Sequence, residues 1–346
     1  MVIRPDVIGI DPNNIEHIKI AAAAEIINEG KLVAFPTETV YGLGADALNS
    51  KACAKIFEAK KRPLDDPLIV HVANKEDLFK VAREIPDTAF RLVDKFWPGP
   101  LTLVLKKAGT IPDIVTAGLD TVAVRMPNNE IALSLIREAK TFIAAPSANL
   151  FGRPSPTTAQ HVLQDLNGRI DLLIDGGKVN IGVESTILDL TQRPFRVLRP
   201  GGISLEKLKT ILPDIEIYKE HGVLSPGMYV RHYSPKATVI LIEENGRAQI
   251  DKVRNLAYEF AMQDYDFGIM AKEENKDKYG DYNVKVLGPE KNLTLCAANL
   301  FSVLREFDKN GVGLIIAEGV EEKELGMAIM DRLRKASGGE KCSVRF

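Results

Sequence analysis

The three cysteines of this sequence, Cys53, Cys296 and Cys342, lie far apart and include no CxxC pair. That excludes a disulfide framework and a zinc ribbon, and it suits a reducing cytoplasm. An excess of charge of one sign is missing too. The 45 Lys and Arg against 47 Asp and Glu leave a formal net charge of -2. No global positive field draws the chain to nucleic acid or membrane, so weak RNA contact would have to be local or through a partner. Met1 to Asp6 lack the basic and then apolar stretch of a signal peptide, and no uninterrupted apolar run is long enough to span a bilayer. The expectation is a soluble, cytoplasmic protein with no membrane contact. Internal repeats, low-complexity tracts, a nucleophile–base triad and a dense carboxylate cluster are likewise absent from the sequence.

What is present is enough chain for two domains. The 346 residues are 45% hydrophobic and 27% charged, ordinary values for a protein that buries sizeable cores. Apolar residues at helical spacing predict a helix over Ile15 to Asn28, stopped by Gly30, and Leu32 to Phe35 read as a short buried strand ending at Pro36. Ser50 to Lys60 reads as a helix capped by Ser50. Further strands are expected at Leu68–His71, Leu101–Leu105, Val122–Met126, Thr141–Ala145, Asp171–Ile174, Thr186–Leu190 and Phe195–Leu198. Several have no helix between them, which argues against a doubly wound parallel sheet and for a twisted mixed sheet with helices packed on it.

The rhythm changes after Arg199-Pro200-Gly201-Gly202. A helix near Ser204 to Ile211 precedes an irregular run, Ser225 to Pro235, whose prolines and glycine mark a linker but whose Tyr229, Arg231, His232 and Tyr233 are unusual for a passive one. From Ala237 onward strands alternate with helices: Val239–Ile242, Gln249 to Met262, Phe267–Met270, Val284–Leu287, Asn292 to Phe307, Val312–Ala317 and Glu324 to Lys335. That alternation predicts a small, Rossmann-like parallel sheet, without the GxGxxG loop of a dinucleotide site. The charged stretch Lys272 to Asp281 reads as a solvated loop. The domain expectation is therefore 1–210, a linker over 211–236, and 237–346.

Several segments set polar groups at strand ends. Phe35 to Gly44 leaves Thr37 and Thr39 beside two glycines, where a backbone can approach a ligand closely. Taken alone it is equally a tight turn. Lys60-Lys61-Arg62-Pro63 complements a helix C-terminus, and Asp66 to His71 follows at once as a strand, directing the basic groups and His71 toward one sheet edge. Arg125 lies in an otherwise apolar strand, where an unpaired charge is costly, so a carboxylate partner is expected; a substrate carboxylate is one candidate. Ala145-Pro146-Ser147-Ala148-Asn149, Gly152 to Ser155, Glu184-Ser185-Thr186 and Leu198-Arg199-Pro200-Gly201 supply further hydroxyls, an amide and an arginine.

None of these pieces is specific by itself, but their order is. Lys60-x-Arg62 with Ser147-x-Asn149 resembles the signature of the YrdC-like family, and the threonine turn, Pro67 to His71, Ser185-Thr186 and Leu198 to Gly201 resemble its remaining motifs. The linker with Ser225-Pro226-Gly227-Met228 and His232-Tyr233-Ser234-Pro235 and the C-terminal α/β segment extend the resemblance to the two-domain members of that family. The resemblance implies an L-threonylcarbamoyl-adenylate synthase. Such an enzyme joins L-threonine, bicarbonate and ATP into threonylcarbamoyl-AMP and pyrophosphate, and separate transferase proteins pass the group on to tRNA. It assigns Thr39, His71, Arg125, Ser185 and a backbone contact at Ala145 to L-threonine. It places Lys60, Arg62, Asp66, Thr121, Ser147, Asn149, Ser155 and Arg199 around ATP, with Lys60 and Arg62 steadying the phosphates. Mg²⁺ is expected to accompany ATP on phosphate oxygens and water. Arg231-His232-Tyr233 is read as a lid that contacts ATP.

The chemistry agrees with that inventory. A threonine carbamate is already an anion and can attack the α-phosphate without a covalent enzyme intermediate, so alignment, charge neutralisation and water exclusion are the main demands. Two other readings compete. One is a double-stranded RNA- or tRNA-binding protein without chemistry of its own, gripping phosphates through Lys60 to Arg62. The other is a carbamoyl-transfer protein of hydrogenase maturation, whose zinc-binding cysteines and acylphosphatase-like region are not evident here.

Overall fold

The apolar runs become strands of two separate sheets in the computed structural model, which describes residues 5–218 and 232–338. The linker residues Ser225 to Arg231 and the third cysteine, Cys342, lie outside the described residues. Contacts divide the described chain into two units. The first holds 5–151, 155–180 and 184–218, and the second holds 232–338 with the short segments 152–154 and 181–183.

The first unit is built on twelve strands: β1 (Asp6–Gly9), β2 (Val33–Phe35), β3 (Gly42–Asp46), β4 (Ile69–His71), β5 (Ala82–Arg83), β6 (Leu101–Lys107), β7 (Thr121–Arg125), β8 (Ile143–Ala144), β9 (Leu172–Asp175), β10 (Thr186–Asp189), β11 (Arg196–Arg199) and β12 (Glu216–Ile217). They form one sheet in the order β1-β9-β2-β3-β8-β4-β7-β6-β10-β11-β12, with β5 beside β6. Pairing is mixed as expected: β4 runs parallel to β7, β6 antiparallel to β7, and β10 parallel to β6. Because β12 extends this sheet through β11, the first unit reaches past residue 210 into the stretch read as linker.

Alternation along the central strands sorts side chains between two faces. Val70, Val122, Val124, Leu101, Leu103, Leu105 and Leu188 enter the main core, to which the helices His17–Asn28 and Glu130–Ala139 also contribute buried residues. Ile69, Val104, Ala123, Ile187 and Leu198 point the other way and form a small apolar cluster of their own, with Tyr218 packed against it.

The second unit carries β13 (Thr238–Ile242), β14 (Phe267–Lys272), β15 (Val284–Gly288) and β16 (Leu314–Glu318), all parallel, in the order β13-β16-β14-β15. Helices Gly246–Met262, Leu293–Lys309 and Gly326–Ala336 connect and flank them, giving the small Rossmann-like domain expected.

Two local expectations need correction. Asn49, not Ser50, caps the helix Ser50–Lys60: its side chain accepts from the Lys51 and Ala52 amides. The stretch read as a solvated loop is a 3-10 helix, Glu273–Tyr279, anchored inward by Asn275 and Tyr279, which are 6% and 2% exposed. Charge dominated the sequence pattern there, and two inward-facing residues were enough to outweigh it.

Candidate active site

The site face of the sheet begins at Arg125, the last residue of β7. Its strand neighbours put His71 on one side and Thr102 on the other. Arg125 is 4% exposed and its Nη2 donates to Thr39 Oγ1 at 2.8 Å. Thr102 Oγ1 lies 2.7 Å from Ser185 Oγ, which brings Ser185 to the same group. The backbone around Thr39 is fixed locally, since Thr37 Oγ1 donates to Val40 O at 2.6 Å and accepts from the Thr39 and Val40 amides. Ala145 follows β8 and gives its amide to Ile69 O. Thr39, His71, Arg125, Ser185 and Ala145, far apart in sequence, thus meet at adjoining strand ends.

The carboxylate expected beside Arg125 is internal. Glu38 Oε2 lies 2.7 Å from Arg125 Nη2, with both side chains at most 7% exposed. Neither carboxylate oxygen of Glu38 receives a hydrogen bond among the described residues. Burial and the neighbouring Arg125 charge push His71 down to about 3, so its imidazole is neutral over the physiological range.

A second, cationic group adjoins the first. The helix Ser50–Lys60 ends where Lys61 turns into the left-handed region, and it delivers Lys60 at only 1% exposure. Lys60 Nζ donates to Ser147 O at 2.5 Å and Asn149 O at 2.6 Å, holding the loop after β8 in place. Arg62 pairs with Asp66 at 2.9 Å and donates to Pro67 O at 2.7 Å. Burial raises the Asp66 carboxyl above its ordinary range, against the pull of Arg62, Lys60 and Arg199. Arg199 gives its Nη2 to Ser185 O at 2.9 Å and Ser185 Oγ at 3.2 Å, linking the cationic group to the first. Its loop sits flush on Glu184 to Thr186: a Cβ on Gly201 would stand 2.4 Å from Glu184 O, so a glycine is required there. Ser155 Oγ donates to Glu184 Oε1 at 2.5 Å.

One expected nucleotide contact of the first unit stands apart from this cluster. Thr121 opens β7, four residues before Arg125, on the same face but about 13 Å along the strand. It lies beyond Ala123, at the far side of the small apolar cluster. His232 and Tyr233 belong to the second unit. Tyr233 is stacked on Phe301 with centroids 5.5 Å apart, Arg332 lies 4.9 Å above its ring, and the His232 ring meets it edge-on at 4.1 Å.

Sequence reasoning passed over Glu38, Thr102 and Glu184. Glu38 was legible in principle, because Arg125 demanded a carboxylate and Glu38 sits between the two threonines already singled out. Thr102 had a weaker signal, a hydroxyl on the second face of the apolar run Leu101–Leu105. The second unit has a cavity of about 640 Å³, lined by Arg254, Tyr258, Lys278, Tyr279 and Tyr282 among others. Among the described residues no group of three His, Cys, Asp or Glu side chains could hold a metal ion, and no helix is long and apolar enough to cross a membrane.

Known proteins match the chain across both units. Residues 25–201 match the Sua5/YciO/YrdC family, described as telomere recombination, and residues 203–338 match the C-terminal domain of threonylcarbamoyl-AMP synthase. The threonylcarbamoyl-AMP synthase of Pyrococcus abyssi is 50% identical over 330 residues, 94% of this chain and 95% of that one. That of Bacillus subtilis is 45% identical over 327 residues, 93% of each. The crystal structure of Pyrococcus abyssi Sua5 complexed with L-threonine superposes with a TM-score of 0.91 at 49% identity, covering 96% of this chain and 97% of that one. With near-complete coverage at such identity, and both domains matched in order, the chain belongs to the Sua5/YciO/YrdC family in its two-domain form.

Proposed function

We infer that the chain is a threonylcarbamoyl-AMP synthase, a nucleotidyltransferase that joins L-threonine, bicarbonate and ATP and releases pyrophosphate. The observation that carries this reading is the adjacency of two buried groups on one sheet face. A guanidinium set among hydroxyls suits an amino acid, and three further cations suit a triphosphate.

In this reading Arg125 grips the threonine carboxylate, as a planar guanidinium can in bidentate fashion. Thr39 and neutral His71 read the threonine hydroxyl, and Ser185 and the Ala145 backbone close the pocket. A site that hydrogen-bonds a hydroxyl discriminates against an analogue that lacks it. The carbamate then lies toward Lys60, Arg62 and Arg199. Its oxygen attacks the α-phosphorus, the bond to the pyrophosphate leaving group breaks, and the fixed cations balance the charge that develops. Ser147, Asn149 and Ser155 supply polar contacts to phosphate and ribose. The adenine lies on the apolar cluster of Ile69, Val104, Ala123, Ile187 and Leu198, which brings its outer edge toward Thr121. His232 and Tyr233 contact ATP in the lid reading.

Mg²⁺ would enter with the triphosphate and help neutralise it, ligated by phosphate oxygens and water. Asp66 is the carboxylate nearest the cations and is itself paired with Arg62, which fits a metal carried by its nucleotide better than a resident one. The product goes to transferase proteins that modify tRNA, and buried, free Cys53 and Cys296 suit a cytoplasmic setting.

The test is pyrophosphate release with ATP, Mg²⁺ and bicarbonate, comparing L-threonine with L-valine and L-serine. Threonine-dependent release, with the adenylate seen by mass spectrometry, is expected. A folded protein that releases none with any of the three would turn the reading toward RNA binding without chemistry.

A further inference from the structure

Glu38 poses a question that binding alone does not answer. Its carboxylate is 7% exposed, has one ionic neighbour in Arg125, and accepts no hydrogen bond among the described residues. A buried carboxylate so poorly served is costly and persists where something else serves it. The charged group against it is Arg125 of β7, with His71 of β4 beside Arg125 and neutral. The proposed threonine carboxylate must take the guanidinium that Glu38 now faces. In an α-amino acid the ammonium is attached to the same carbon as the carboxylate. A Glu38 side chain displaced from Arg125 therefore has the incoming ammonium as its nearest positive partner.

We propose that Glu38 is the proton acceptor for the threonine amino group in carbamate formation, and that in the free protein it rests on Arg125 as a stand-in for the substrate carboxylate. The inference rests on the reading of Arg125 given above. The threonine ammonium carries three protons and the carbamate nitrogen keeps one. The amino lone pair forms the N–C bond to the bicarbonate carbon, and the hydroxyl leaves as water with one of the two protons released. The other proton passes to the Glu38 carboxylate. Without an acceptor inside a closed site, the ammonium has no lone pair with which to attack.

Glu38→Gln keeps the shape and removes the basicity. Threonine affinity, measured by calorimetry without ATP or bicarbonate, is expected to stay within about fivefold, because losing the ammonium contact is offset by freeing Arg125 from its internal partner. The kcat for pyrophosphate release at pH 7 is expected to fall about 100-fold, the usual scale for a lost general base. It should recover more steeply than the wild type between pH 7 and pH 9, as the free amine fraction grows about tenfold per pH unit. In Glu38→Ala, added formate should restore part of the rate. Wild-type kcat in Glu38→Gln at pH 7, or a loss that appears in the KM for threonine with kcat intact, would overturn the proposal. So would a lowered kcat that neither pH nor formate restores. A wild-type protein without threonine-dependent release, or an Arg125→Ala variant that binds threonine normally, would instead sink the underlying reading of the site.

Discussion

Glu318 of the second unit and Glu38 and Asp66 of the first are buried carboxylates held in opposite ways, while Asp189 of the first unit, met by the Thr191 amide and hydroxyl, resembles Glu318. In the second unit Glu318, at the end of β16 and fully buried, is surrounded by donors: the Lys272 amide at 2.5 Å, Asn275 Nδ2 at 2.8 Å and the Tyr279 hydroxyl. In the first unit Glu38 and Asp66 are buried almost as deeply, yet their carboxylates face Arg125 and Arg62 and accept no hydrogen bond among the described residues. A carboxylate met by three donors is finished architecture, and here it pins the 3-10 helix Glu273–Tyr279 to the sheet. A carboxylate left short of donors beside an arginine is a place where the protein tolerates a cost of several kcal/mol. That cost makes sense where a ligand completes the bonding, so Glu38 and Asp66 support the proposed site in the first unit.

The comparison breaks most sharply at Arg62. Arg62→Ala should lower pyrophosphate release by about 100- to 1,000-fold, the range seen when a single charge-stabilising donor is lost. It should also destabilise the first unit, because Asp66 loses its ion pair. Adding Asp66→Asn should recover stability, measured by urea unfolding, and leave activity low. If the double variant regained activity as well, the arginine would serve the fold and the distinction between the two units would be void.

Glu318 gives the reverse pattern. Glu318→Leu strands three donors, and at about 1 kcal/mol or more for each the second unit should lose about 3 kcal/mol. Amide exchange across 267–280 should quicken, with threonine affinity unchanged. A loss of threonine binding would mean that Glu318 is not merely structural. Burial also raises the Tyr279 hydroxyl well above its ordinary value, with Glu318 adding to the effect, so no change of charge at Tyr279 complicates the reading at neutral pH.

Most of the fold was legible because long apolar runs bounded by glycine or proline leave few choices. The alternating second half was read nearly element by element. Harder were the short strands of the first unit. β3 (Gly42–Asp46) is glycine-rich and reads as a turn, and it becomes a strand because β2 and β8 pair with it on either side. The site was legible at Arg125, Lys60 and Arg62, where charge within or just after an apolar element demands a reason. Glu38 stayed hidden because its neighbours are hydroxyls and its partner lies 87 residues away in sequence, a contact made only by tertiary packing. Whether Glu38 or a substrate satisfies Arg125 is a question that local sequence can pose but not answer.

His71 offers a smaller effect with a definite sign. Its folded value of about 3 lies below the ordinary 6.5. Between those values the unfolded chain binds the extra proton, so stability falls as pH drops below about 6.5, by up to about 1.4 kcal/mol per pH unit. His71→Asn should remove that slope from the difference between pH 5 and pH 7 unfolding curves. An unchanged slope would mean that His71 is protonated in the fold, and a neutral hydrogen-bonding partner for the threonine hydroxyl would then be missing.

The smallest effect is expected at Thr121, and it tests the extent of the site more than its chemistry. Arg125 and Thr121 share a face of β7 with Ala123 between them, and Ala123 belongs to the small apolar cluster. If adenine covers that cluster, Thr121 meets only the rim of the nucleotide, where one solvent-competed hydrogen bond contributes about 1 kcal/mol or less. Thr121→Ala should therefore raise the KM for ATP about two- to fivefold and leave threonine affinity and kcat as they were. Ala123→Asp, placed in the middle of the cluster, should weaken ATP far more at the same threonine affinity. Equal ATP affinity in both variants and the wild type would mean that the base lies elsewhere, and the apolar cluster would then be core on the second face of the sheet and no part of the ligand's bed.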